Sequence, residues 1–432
     1  MRQADKATFR ARWLAVEPTF LRFRVLALVL GFALLVLRRP DALYRAQFWA
    51  EDGVVWYADA HRLGGFAAML LPSSGYFQTL SRLAAWGALQ VPLTAAPLFT
   101  NLVALSVKAA PIVMLWSARY REIVPATAVR CLLTVWFALL PNLQEVHGNL
   151  TNAQWFLAIH ACLTLAAPPA RSLAGRLHDL AVIALSGLSG PFSILLAPIA
   201  LMLLWQRWRE RARGFTALLT AVVVLTAAIQ LGSLALTAGA ARTHAPLGAS
   251  AGELVSMLAA KPLGTLLFGT ASVPVIYASP WLAFPLFGLW SALLVVVLLK
   301  GPTALRAFTG FALLVLGASL MAPMVSAEGD QVALMGQYAG AGSRYFLLAA
   351  TATFAAIVWL LTACVLAGHR LATWSVLGVV ALGLVTGARE WKLKKYRDLE
   401  WRRLAREFEQ SRPGSEHEFP INPNWTMVLV KH

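Results

Sequence analysis

The sequence predicts an all-α, polytopic membrane helix bundle of about eleven spans, with interfacial helices in its first external loop and a short C-terminal extension. Three observations carry that prediction. Of 432 residues, 59% are hydrophobic and 13% charged, more apolar surface than one soluble core could bury while staying in solution. Apolar runs reach or approach the roughly 20 residues that a helix needs to cross about 30 Å of hydrocarbon, and Gly and Pro are scattered through them as membrane helices tolerate. The alternating segments of about ten residues that mark an outer-membrane barrel are absent.

The basic N-terminus precedes the first apolar run without a small-residue cleavage site, so that run is expected to stay as a span. Spans are expected near 24–38, 97–117, 128–141, 153–169, 173–188, 191–206, 215–237, 282–299, 307–325, 344–367 and 371–388. The stretch 76–91, "YFQTLSRLAAWGALQV", carries Arg82 and reads as an interfacial helix or a further span. Spans 173–188 and 191–206 form a hairpin at "GLSGPFS", where a Gly-Pro turn at membrane depth needs protein or a wet cavity to cover its freed backbone groups. With no repeat and no flexible linker, residues 1–388 form one transmembrane domain whose external loop 39–96 carries an acidic motif. Residues 389–432 form a basic amphipathic extension with a strand expected at Met427 to Val430.

Lys and Arg set the orientation. The formal charge of +17 lies mainly in short loops and one tail, so topology and anionic lipid account for it and nucleic acid does not. A cytoplasmic N-terminus places Arg2, Lys6, Arg10, Arg12, Arg22 and Arg24 inside, with Arg119, Arg121, Arg171, Arg176, Arg207, Arg209, Arg211, Arg213, Lys300, Arg306 and Arg370. The tail "REWKLKKYRDLEWRRLAREFEQ" conflicts, since the same count puts it outside. Cys131, Cys162 and Cys364 sit in apolar runs without ligand spacing and read as core residues, with no disulfide or metal.

On that topology the unusual polar stretches converge on the outer side. "QFWAEDGVVWYADA" sets Glu51 and Asp52 among aromatics, where lost hydration raises a carboxyl pKa towards base catalysis. Asp59 follows Asp52 by seven residues and shares its face if the stretch is helical. Capping of that helix is the alternative role for either acid. "NLQEVHGNLTNAQW" carries Glu145 together with His147, Asn149 and Asn152, and the last three suit sugar hydroxyls or phosphate and equally the capping of the helix that follows. "GSRYF" puts Arg344 and Tyr345 where an outer loop enters a span; a guanidinium there can hold phosphate by a bidentate fork, or snorkel to headgroups. Lys108 is a cation within a span. His147 lacks a helical His partner, and P-loop, dinucleotide and nucleophile-elbow motifs are absent, so nucleotide-driven transport has no support.

"AEDG" after the first span resembles the acidic motif of the integral-membrane glycosyltransferases of the C superfamily, which use polyprenyl-phosphate sugars. The resemblance implies a glycosyltransferase of a bacterial inner membrane whose active site faces the periplasm. Its acid, Asp52 first and Glu51 second, would take the proton of a glycan, lipid or protein acceptor while the polyprenyl phosphate leaves with inversion. Arg344, Tyr345, His147, Asn149, Asn152, Gly190 and Asp59 are the expected substrate contacts. Mg²⁺ or Mn²⁺ could join through substrate phosphate, but two carboxylates do not require a metal. The rival class is a multispan transporter or flippase for a lipid-linked glycan, for which Lys108 and Arg344 would line a pathway, although the inverted repeats usual in such proteins are missing.

Overall fold

A computed structural model describes residues 20–210, 214–237, 245–326 and 328–432. The basic residues Arg2, Lys6, Arg10, Arg12, Arg211 and Arg213 lie outside the described residues. The chain is a helical bundle, and every expected span coincides with a helix: α1 Phe20–Arg38, α3 Ala96–Leu115, α4 Thr127–Leu139, α5 Ala153–Ala166, α6 Leu173–Gly187, α7 Phe192–Arg209, α8 Gly214–Leu236, α10 Pro280–Lys300, α11 Thr303–Met321, α12 Ser343–Ala367 and α13 Arg370–Arg389. Between them lie α2, Thr79–Ala88, and α9, Ala251–Leu258; α14, Trp401–Gln410, and an antiparallel hairpin of β1, Glu416–Ile421, and β2, Trp425–Val430, follow. Among the described residues seven helical segments are long and apolar enough to cross a membrane. The chain is thus a multi-pass membrane protein.

The core is built around α5, almost every side chain of which is buried, and α12. Trp136 of α4 stacks on Phe354 of α12 with ring centres 4.1 Å apart, and Trp290 donates its indole N–H to Thr353 Oγ1 at 2.8 Å. Outward faces carry lipid-contacting residues such as Val29, Leu225 and Leu299.

One apolar segment, Ala251–Phe268, escapes the sequence reading because Lys261, Pro262 and Gly264 interrupt it. Both its ends belong to one end of the bundle. Before it, Val332 N donates to Leu247 O (3.0 Å); after it, Thr270 N donates to Glu390 Oε1 (2.6 Å) at the end of α13. The stretch 76–91 contributes only the ten-residue α2, too short to span.

The hairpin turn between α6 and α7 is covered as its chemistry requires. Gly190, at φ +88°, donates its N–H to Phe77 O (2.9 Å); Thr79 N bonds Leu188 O (2.9 Å), and Gln230 Nε2 donates to Gly190 O (3.0 Å). The extension is the larger surprise. Its basic stretch is helical only over α14; 391–400 is an extended strap laid along the bundle. α14 and the hairpin then share a core with the first loop, in which Trp401, Phe408, Phe419 and Met427 meet Phe48, Tyr57 and Leu93. The extension and loop 39–96 therefore occupy the same end.

Candidate functional site

Loop 39–96 holds the acidic motif in a strained turn. Ala50 adopts φ +44°, a left-handed conformation unusual for alanine, and its N–H donates to Asn422 O of the C-terminal "INPNW" at 2.6 Å. From Asp52 to Tyr57 the chain runs as a π-helix, whose wider turn is frequent at functional sites. That extra width changes the phase of the helix. Asp52 points at Thr151, whereas Asp59 joins Arg82 (2.7 Å) and Arg62 (3.2 Å); the shared face expected for the two acids is lost.

Asp52 is fully buried and accepts three bonds, from Leu150 N (2.9 Å), Thr151 N (2.7 Å) and Thr151 Oγ1 (2.7 Å). It caps the turn that opens α5 rather than its own helix. Burial pushes its carboxyl up to about 7 even against those three donors. Glu51, beside it, is only partly buried; desolvation raises its carboxyl too, while the Arg344 guanidinium lowers it and Glu145 raises it. Glu51 thus lies within the electrostatic reach of both.

Arg344 and Glu145 form an ion pair. Glu145 Oε2 also accepts from Ser343 Oγ (2.9 Å) and the Arg344 N–H (3.3 Å), so its carboxylate sits on the first turn of α12, where the helix dipole favours an anion. The remaining guanidinium nitrogen donates to Met324 O (2.5 Å) and Tyr345 Oη (2.9 Å). Beneath this, Lys261 gives its three hydrogens to the carbonyls of Tyr338 (3.1 Å), Ala339 (2.7 Å) and Ala341 (3.0 Å), and Asn142 Nδ2 adds a bond to Ala339 O (2.7 Å). The loop entering α12 is therefore fixed before Gly342, at φ +60°, releases the chain into the helix.

The other expected contacts divide. Asn149 accepts from Asn152 N (3.1 Å) and, with Asn152, donates to Glu145 O (2.7 and 3.2 Å); both asparagines shape the loop that presents Glu145. Asn149 has no exposed surface. His147 is buried behind that loop with Nδ1 2.7 Å from Lys108 Nζ; burial and the neighbouring cations Lys108, Arg38 and Arg39 hold its imidazole well below its usual range, hence neutral. The Gly190 amide is spent on Phe77. Glu51, Asp52, Glu145, Arg344 and Tyr345 thus form one cluster with Asn149 and Asn152 as its frame; Asp59 and Gly190 make their bonds elsewhere.

Sequence reasoning left Glu145 without a role and missed Lys261 and Ser343. A lone lysine in an apolar run was the available signal for Lys261. Among the described residues no group of three or more His, Cys, Asp or Glu is set to hold a metal. An apolar cleft of about 240 Å³ lies further along α12, lined by Thr351, Phe354 and Thr362 with Leu133 and Phe308. Comparisons with family models, curated proteins and solved structures gave no match to this chain.

Proposed function

We propose that the chain is a membrane glycosyltransferase that moves a sugar from a polyprenyl-phosphate donor to an acceptor hydroxyl. The observation that carries this reading is the convergence of Glu51, Glu145 and Arg344 beside buried Asp52 at one end of an apolar bundle. A partly exposed carboxylate next to a guanidinium is what such a displacement needs: a proton acceptor for the incoming hydroxyl and a cation for the departing phosphate.

The roles follow from the contacts. Asp52, locked by three donors, positions the loop, so the order of choice reverses and Glu51 is the base. Glu145 occupies the fork of Arg344 as an anion would, and the donor phosphate takes its place by bidentate hydrogen bonds. Glu51 accepts the acceptor's proton, the oxygen bonds to the anomeric carbon from the opposite face, and the bond to phosphate breaks, leaving polyprenyl phosphate with the electron pair and the sugar inverted. The rigid loop over Lys261 contributes orientation, which alone supplies much of the acceleration in such reactions.

In this proposal the N-terminus is cytoplasmic and the cluster faces the periplasmic side of a bacterial inner membrane, as the Lys and Arg count of the loops supports. The test is turnover of a panel of polyprenyl-phosphate sugars by the purified protein. Glu51→Gln is expected to abolish sugar release while Asp52→Asn retains part of it if folded. Wild-type turnover in a folded Glu51→Gln variant rejects the mechanism; translocation of the lipid-sugar without its consumption selects a transporter.

A further inference from the structure

The strap that follows α13 carries cations that no acid pairs among the described residues. Arg389, Lys392, Lys394 and Lys395 are exposed, and among the described residues none of them is in an ion pair. The only acid among them, Glu390, is turned inward onto Thr270 N (2.6 Å) and Oγ1 (2.9 Å). The lysines do not sit on a loose tail. Leu393 N bonds Arg38 O (3.1 Å), Lys394 N bonds Gln144 Oε1 (3.0 Å), and Lys394 O accepts from Arg39 Nε (3.2 Å).

The depth of the strap is fixed by its neighbours. Trp391 Nε1 donates to Leu34 O (3.3 Å) and Lys392 Nζ to Leu37 O (2.8 Å), so the two lie along the last turn of α1. Leu37 and, a few turns earlier, Leu30 are exposed apolar residues on that helix, so its lipid-facing stripe runs up to the strap. Lys392 Nζ sits 4.6 Å over the Trp391 ring. An indole at the end of an apolar stripe with amines just beyond it marks the level of lipid headgroups.

We infer that the strap Arg389 to Lys395 is a binding platform for anionic phospholipid headgroups of the leaflet it borders. Its exposed cations follow one another along a strap held at the end of that apolar stripe, and amines at such a boundary gain an attraction to anionic headgroups that falls away within a Debye length. The inference is independent of the reaction proposed above.

The experiment uses full-length protein in nanodiscs of phosphatidylcholine with a minority of phosphatidylglycerol, followed by native mass spectrometry of the lipids kept on release into detergent. Wild type is expected to retain phosphatidylglycerol over phosphatidylcholine at low salt and lose that preference at high salt. The variant R389Q/K392Q/K394Q/K395Q should lower the enrichment at least tenfold, while R402Q/R406Q, on the exposed face of α14, should keep it. Should the fourfold variant not fold, K394Q/K395Q tests the same point, because neither amine makes a hydrogen bond or ion pair among the described residues. Unchanged enrichment in the strap variant overturns the inference. So does equally tight binding of inorganic polyphosphate to wild type in discs of phosphatidylcholine alone, which would make the partner a soluble anion.

Discussion

At the scale of single residues the two neighbouring acids separate by surroundings. Asp52 has all its hydrogen-bonding capacity directed at Leu150 and Thr151, and its carboxyl titrates near 7 instead of 3.8 because burial outweighs three donors. A raised folded-state value means the proton is bound more tightly in the folded protein. The stabilisation from that proton is full below 3.8 and is lost as pH climbs through about 7. Asp52→Asn should remove this slope between pH 4 and 7, and should itself cost about 1–3 kcal/mol because an NH₂ then confronts one of the N–H donors. Thermal unfolding in detergent across that range measures both. A variant with the wild-type slope would assign the titration to another group. Glu51 answers to different neighbours: as Arg344 lowers its carboxyl and Glu145 raises it, the acid limb of a pH–rate profile should move up in Arg344→Gln and down in Glu145→Gln. Shifts of the opposite sign would remove Glu51 from the role of base.

At the scale of elements, the extension behaves as a clamp on the acidic motif. Trp401 is its anchor, buried and packed edge-on against Phe48 at 5.0 Å and at a tilt against Phe419 at 5.3 Å. Trp401→Ala should cost about 3–5 kcal/mol of local stability. Limited proteolysis should then cut within 391–415 much faster than in wild type while α1 to α13 stay intact, and an unchanged cleavage rate would show that the docking rests elsewhere. Long apolar helices were legible in the sequence because their signal is local: each expected span is a helix, and Met427 to Val430 lies in β2. What escaped depended on contacts between distant segments. The strap 391–400 has a helix-like charge pattern but finds partners in Arg38, Asp41 and Gln144. The π-helix at Asp52 has no sequence signature, so the phase of Asp59 could not be read. Of the cluster, the acids and Arg344 were visible as polar residues in apolar surroundings, but their pairing through Glu145 was not, because 145 and 344 meet only after helices α5 to α11 have folded between them.

At the scale of the whole molecule, charge and packing had pointed to different sides for the extension. Counting Lys and Arg in loops such as 117–126 and 207–214 sets the orientation of the bundle, and the basic tail then violates the count. Packing decides where the tail is: α14 and the hairpin share a core with Phe48 and Tyr57, the strap bonds Arg38 and Asp41, and all of these belong to the end that carries Glu51. On the orientation proposed above, charges that follow the last span have little influence on helices already inserted, so the breach is tolerated. Single cysteines in a background lacking Cys131, Cys162 and Cys364 test this. Cysteine at Arg45 or Arg403, whose side chains are 63% and 57% exposed, should react with an impermeant maleimide from one side of sealed vesicles. Cysteine at Lys300, exposed at the far end of α10, should react only from the other side. If position 403 reacted together with position 300, the tail could not be docked on the first loop. The clamp on Glu51 and the lipid platform at Lys392 would then lose the geometry on which both depend.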